Sequence, residues 1–114
     1  MSKDTLRAQL LKARDSLSNE MRHQLSQSIS DHLLHVLPKN PIRIGSYMAL
    51  GSEVDLKPLH RELLSSVHRL YIPRILSKTA MEMAALDNQE QLTEGAYGIQ
   101  TSSHTETIAF SALD

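Results

Sequence analysis

The chain has 114 residues, 40% hydrophobic and 22% charged, with one Phe, three Tyr and no Trp. That composition suits a single domain with an aliphatic core and excludes a disordered chain. A formal net charge of -1 excludes a global field for nucleic acid or an anionic membrane, and the absence of cysteine excludes disulfides, thiolate metal sites and cysteine nucleophiles.

Aromatic residues are too few for dense stacking on bases, and no apolar run is long enough for a signal peptide or a membrane span. A soluble, cytoplasmic protein that binds neither nucleic acid nor membrane is therefore expected. Leu6, Leu10, Ala13 and Leu17 recur every three to four residues, so the first element expected is an amphipathic helix from about Thr5 to Ser16. A second helix is expected from Asn19 to Val36, with Met21, Leu25, Ile29, Leu33 and Val36 in register. Ser18 or Asn19 is its candidate N-cap, and Pro38 and Pro41 lie beyond its end.

From Ile42 to Leu50 the period changes, and Ile42, Ile44, Tyr47 and Met48 suggest a buried strand. After Gly51 and Ser52, Asp55 is placed to cap a third helix with Leu56, Leu59, Leu63 and Leu64 on one side. Arg69 to Ile72 reads as a second strand closed by Pro73, Met81 to Leu86 as a third, and Thr101 to Thr107 as a polar loop. Strand, helix and strand at this spacing make a βαβ unit. The expectation is one layered α/β domain over residues 1–114 with a mainly parallel sheet flanked by helices.

In such sheets ligands gather beyond the carboxyl ends of the strands, which selects Gly51 to Asp55. Glu53 could accept hydrogen bonds there from a heterocycle, or be an ordinary loop acid; Asp55 serves as the cap. Arg74, after Tyr71-Ile72-Pro73, could face the same crevice as a phosphate contact. Lys3 and Arg7 stand four apart and could clamp one anion, or be two solvated cations on a frayed turn. The six histidines form no ligand pair backed by acids, so no protein-held metal is expected. Gly45, Gly51, Gly95 and Gly98 form no phosphate-cradling loop.

Six segments in order carry a resemblance: Lys3-Asp4-Thr5-Leu6-Arg7 with Arg14 downstream, Ile44 through Leu50, Glu53-Val54-Asp55, Tyr71-Ile72-Pro73-Arg74, Met81-Glu82-Met83 and Tyr97-Gly98-Ile99. Together they resemble the 5-formyltetrahydrofolate cyclo-ligase, or methenyltetrahydrofolate synthetase, family over nearly the whole chain. The resemblance implies ATP contacts at Lys3, Asp4, Thr5, Leu6 and Arg7 and folate contacts at Met48 and Glu53. It implies a reaction in which ATP phosphorylates the formyl oxygen of 5-formyltetrahydrofolate. N10 then attacks the activated carbon and phosphate leaves, with Mg2+ bridging the nucleotide phosphates. Two departures stand out. Gln100-Thr101 replaces the family's usual acidic residue and proline. The family also continues past a Leu-Asp like Leu113-Asp114 into a strand and a Gly-rich basic loop ending in Tyr-Tyr-Asp. The C-terminal part of the fold is thus expected to be missing and the chain alone inactive. A binding fragment and a helical protein-interaction module stay open as alternatives, as does the oligomeric state.

Overall fold

The computed structural model describes residues 2–114. Helix α1 spans Lys3–Asp15 and α2 spans Asn19–Val36. Each begins on a serine hydroxyl that accepts from the backbone N–H three residues on: Ser2 from Thr5 and Ser18 from Met21, both at 3.1 Å. These caps satisfy first-turn donors that otherwise lack partners. α1 starts ahead of its apolar repeat because Ser2 provides the cap.

Strand β1 is Arg43–Gly45, α3 is Lys57–Leu64, β2 is Arg69–Ile75 and β3 is Met81–Ala85. Three short strands follow: β4 at Leu92–Glu94, β5 at Gln100–Ser102 and β6 at Thr107–Ile108. One sheet has the order β1-β2-β3-β6, and β4 and β5 form a separate hairpin. The expected strand from Ile42 to Leu50 shrinks to β1, although the Ser46 N–H still donates to the Tyr71 carbonyl at 2.9 Å. The expected loop from Thr101 to Thr107 contains the end of β5 and the start of β6. Asp55 does not occupy the α3 N-cap position, which falls to Leu56; its carboxylate accepts instead from the Lys57 N–H at 3.0 Å.

The mainly parallel sheet is corrected. Only β1 and β2 are parallel among the described strands; β2–β3, β3–β6 and β4–β5 are antiparallel. The cause lies at Pro73, which does not close β2 but sits within it, opposite Met83. Leu86 donates to the Leu70 carbonyl, so alternate residues from Leu70 aim their backbone groups at β3. Pro73, lacking an N–H, aims away from β3 at a point where β1 has already ended. Residues 76–80 alone then return the chain, with the Leu76 and Ser77 N–H groups both bonded to the Ala80 carbonyl. That link is a hairpin; a parallel return needs about a dozen residues or more.

β2 is covered on both faces. Leu70 and Ile72 pack with Leu86, Met48 and the α3 residues Leu59 and Leu63, against which Leu34 and Leu37 also rest. Tyr71, Met83 and Ala85 face the other way, under Ile108 and Leu113. Gly45 makes room there, since a Cβ at that position would meet a Leu113 methyl at 2.7 Å.

The two long helices use this core unexpectedly. α2 buries Ser26 and Ser30, while Met21, Leu25, Ile29 and Leu33, one residue further round the helix, stay 37–45% exposed. α1 buries no residue. The radius of gyration is 15.4 Å, against roughly 13 Å for a compact domain of about 100 residues, as projecting helices require. Leu63→Ala, at a fully buried site, should cost about 2–5 kcal/mol, and Leu25→Ala less than about 1.5 kcal/mol because that side chain is exposed. Denaturant unfolding measures both. Equal losses would place Leu25 in a packed environment.

Candidate functional site

The segment after β1, the far ends of the β2–β3 hairpin strands and the β4–β5 hairpin enclose a mostly apolar cleft of about 310 Å³. Met48, Leu50 and Glu53 line it from the first segment, Pro73 and Ile75 from β2, and Met81 from β3. Gly95, Ile99 and Thr101 close it from the β4–β5 side, anchored by the Thr101 hydroxyl donating to the Pro73 carbonyl at 2.7 Å. Its position beyond the carboxyl ends of the parallel strands is where an α/β sheet presents ligands, and its volume is at the small end of small-molecule pockets.

Glu53 is held by its own turn. Gly51 has φ +62°, the left-handed conformation that glycine adopts without strain. This turn brings the Leu50 N–H onto Glu53 Oε1 at 2.7 Å and the Glu53 N–H toward the Leu50 carbonyl at 3.3 Å. Among the described residues no hydrogen bond reaches Oε2. Tyr47 donates its hydroxyl to the Val54 carbonyl at 3.0 Å. Burial first, then the Glu53 charge, raises the Tyr47 pKa and keeps the phenol a neutral donor.

Four hydrogen bonds unforeseen from the sequence tie this segment to the helices. The Arg14 Nε donates to Ser52 Oγ at 2.9 Å, and Ser52 in turn donates to Asp15. The Arg22 Nε donates to the Glu53 carbonyl at 2.9 Å, and Ser26 Oγ accepts from the Asp55 N–H at 2.9 Å.

The other expected site residues lie elsewhere. Lys3, Asp4, Thr5, Leu6 and Arg7 occupy the exposed first turns of α1, where Arg7 approaches Asp4 at 3.6 Å, and none of the five lines the cleft. α1 meets the cleft segment at its other end, so Lys3 stands about 18 Å along the helix axis from Asp15. Arg74 is engaged within the sheet: its guanidinium pairs with Glu82 and donates to the carbonyls of Ser102 at 3.1 Å and His104 at 2.9 Å.

At the opposite end of β2, Glu106 accepts from the Tyr71 hydroxyl at 2.6 Å and pairs with Arg69 at 3.1 Å. These two partners, Tyr71 first, lower the Glu106 pKa. Asp87 joins Arg69 and also meets His104 Nε2 at 2.8 Å. The cluster fastens the chain leading into β6 onto β2, away from the cleft. Among the described residues no three His, Asp or Glu side chains converge as a metal site.

His60 is buried in α3, with Nε2 and Ser46 Oγ 2.6 Å apart. Burial lowers its pKa, outweighing the opposing pull of Asp55. Protonation therefore costs more in the folded than in the unfolded chain. The stability from neutral His60 is fully present above about pH 6.5 and is lost as pH falls from there toward the folded-state value. His60→Gln, uncharged and able to bond Ser46, should flatten this loss in thermal unfolding between about pH 5 and 8. An unchanged acid limb would assign the loss to other groups.

Among solved structures, the chain is similar to the NMR structure of Aquifex aeolicus 5,10-methenyltetrahydrofolate synthetase. The identity is 29% and the TM-score 0.86, with all of this chain and 58% of that one covered. The chain thus spans less than two thirds of the length of that relative. No curated protein matches it. The sequence profile of the 5-formyltetrahydrofolate cyclo-ligase family matches residues 1–112, and with the shared fold this establishes that the chain belongs to that family.

Proposed function

We propose that this chain supplies the folate side, and part of the nucleotide side, of an ATP-dependent enzyme that converts 5-formyltetrahydrofolate to 5,10-methenyltetrahydrofolate. The observation that carries the reading is the meeting of Met48 and Glu53 in one cleft, at the place where this sheet offers a ligand site. With Oε1 bonded to its own turn, Glu53 has Oε2 left to accept from the ring N–H and amino donors of a pterin. Met48, Leu50, Ile75 and Met81 supply apolar surface for the ring faces.

The ATP side rests on Lys3 to Arg7. Two cations near a helix N-terminus are disfavoured by the helix dipole, and Asp4 beside Arg7 offsets this only in part, which leaves a site that suits polyphosphate. In the overall reaction the γ-phosphoryl group passes to the formyl oxygen, N10 bonds to the activated carbon, and inorganic phosphate leaves with that oxygen. The reading assigns Mg2+ to the nucleotide phosphates, where it would neutralise charge. Arg74 has no part in it, being engaged with Glu82 and two carbonyls. A cytoplasmic location accords with this chemistry; among the described residues no helix is long and apolar enough to cross a membrane. A second reading, a helical pair that docks a partner, draws on the exposed Leu6 and Leu10 of α1 and Met21 and Leu25 of α2.

Titration calorimetry separates these readings. The folded chain should bind 5-formyltetrahydrofolate, and Glu53→Ala should weaken binding by roughly 1.5–3 kcal/mol, about ten- to a hundredfold. Equal affinity in a folded Glu53→Ala chain would remove Glu53 from the site. Changing Lys3 and Arg7 together to Ala should weaken ATP binding and leave folate binding in place, with added salt mimicking part of the loss. Parallel loss of both ligands would indicate damaged folding instead.

A further inference from the structure

The segment that presents Glu53 turns at residues 51–53 and runs on through residues 54–56, which belong to no helix or strand. Two of its backbone groups, the carbonyl of Glu53 and the N–H of Asp55, turn toward α2. On an α-helix, side chains four apart share a face. Arg22 and Ser26 are four apart on α2, and they take those two groups, the Glu53 carbonyl and the Asp55 N–H, both at 2.9 Å. One face of the helix thus holds two backbone groups of the cleft segment. The Arg22 contact falls on the residue whose carboxylate faces the cleft.

We propose that Arg22 is a positioning residue for Glu53. Its guanidinium fixes the peptide plane from which the carboxylate projects, so Oε1 stays on the Leu50 N–H and Oε2 stays available to a ligand in the cleft. Ser26 fixes the following turn of the chain, and Arg14 with Asp15 holds Ser52 from the other side. The guanidinium is half-buried, where a charge-assisted bond to a carbonyl is stronger than at the open surface. No contact with substrate is required of it. This role rests on the reading of the cleft as the folate site, but its geometric part can be measured without any ligand.

The experiment uses amide NMR on the 114-residue chain, with the Leu50 amide as reporter because it bonds directly to Glu53 Oε1. Arg22→Ala should move the Leu50 resonance toward its position in Glu53→Ala and speed its hydrogen exchange by about tenfold or more, with β2 and β3 amides in place. Arg22→Lys, whose ammonium can reach the same carbonyl, should restore most of the signal. Affinity for 5-formyltetrahydrofolate should fall about ten- to a hundredfold in Arg22→Ala and recover in Arg22→Lys. An unmoved Leu50 amide in folded Arg22→Ala overturns the proposal, as does a moved amide with wild-type affinity. If the wild-type chain binds no folate but Leu50 responds as expected, positioning stands and the folate assignment of the cleft falls. Should Arg22→Ala lose its folded spectrum, Ser26→Ala provides the same test: a smaller Leu50 shift in the same direction is required, and none counts against the proposal.

Discussion

The structure depends on β2 being buried on both faces. A strand in that position cannot shift by one residue without turning its whole side-chain set over. Leu70 and Ile72 lock it against α3, while Tyr71 locks it under the chain that carries Ile108 and Leu113. The cleft takes its floor from the same strand, at Pro73 and Ile75. Pro73 thus has two effects. It leaves β2 without a donor beyond the end of β1, and its carbonyl receives Thr101 from the β4–β5 hairpin that forms the opposite wall.

The cleft has one acidic group set in an apolar surround, and the physical problem is to keep that group from wandering. A surface glutamate has several rotamers and loses entropy when a ligand selects one. Here the selection precedes binding. The Gly51 turn supplies the Leu50 N–H, the flanking backbone is tied at Glu53, Val54 and Asp55 to three different side chains, and the Ser52 hydroxyl is held by a fourth. Such a site loses little on ordering when it is filled.

Local structure was legible where the signal is local. Ser18 and the i, i+4 repeat marked α2 from end to end, and the leucines of α3 marked its buried side. Glu53 was singled out twice, from its place after a strand and from the family resemblance, whereas Met48, expected inside that strand, was singled out by the resemblance alone; both line the cleft. What escaped involved partners remote in sequence. Arg14, Arg22 and Ser26 find theirs 38, 31 and 29 residues away, and periodicity says nothing at that range. Sheet direction escaped through Pro73, read as a terminator because proline usually ends central strands; an early end to β1 removes that objection. β5, made of Gln100, Thr101 and Ser102, looked like a polar loop, yet Thr101 and Ser102 are buried with their hydroxyls on carbonyls of β2 and β3. The two long helices were located, but neither packs on its apolar stripe: α1 buries no residue and α2 rests on its serines.

That choice of face has a mechanical consequence. Arg22 and Ser26 stand next in sequence to Met21 and Leu25, about 100° around α2. A contact made on the apolar stripe would therefore act on the roll of a helix whose adjacent side grips the backbone of the cleft. A roll of a few degrees moves a guanidinium held several ångströms from the axis by a few tenths of an ångström, enough to loosen or tighten a hydrogen bond of 2.9 Å. α2 is in this sense a torsion bar, with solvent-facing leucines at one side and the carbonyl of Glu53 at the other.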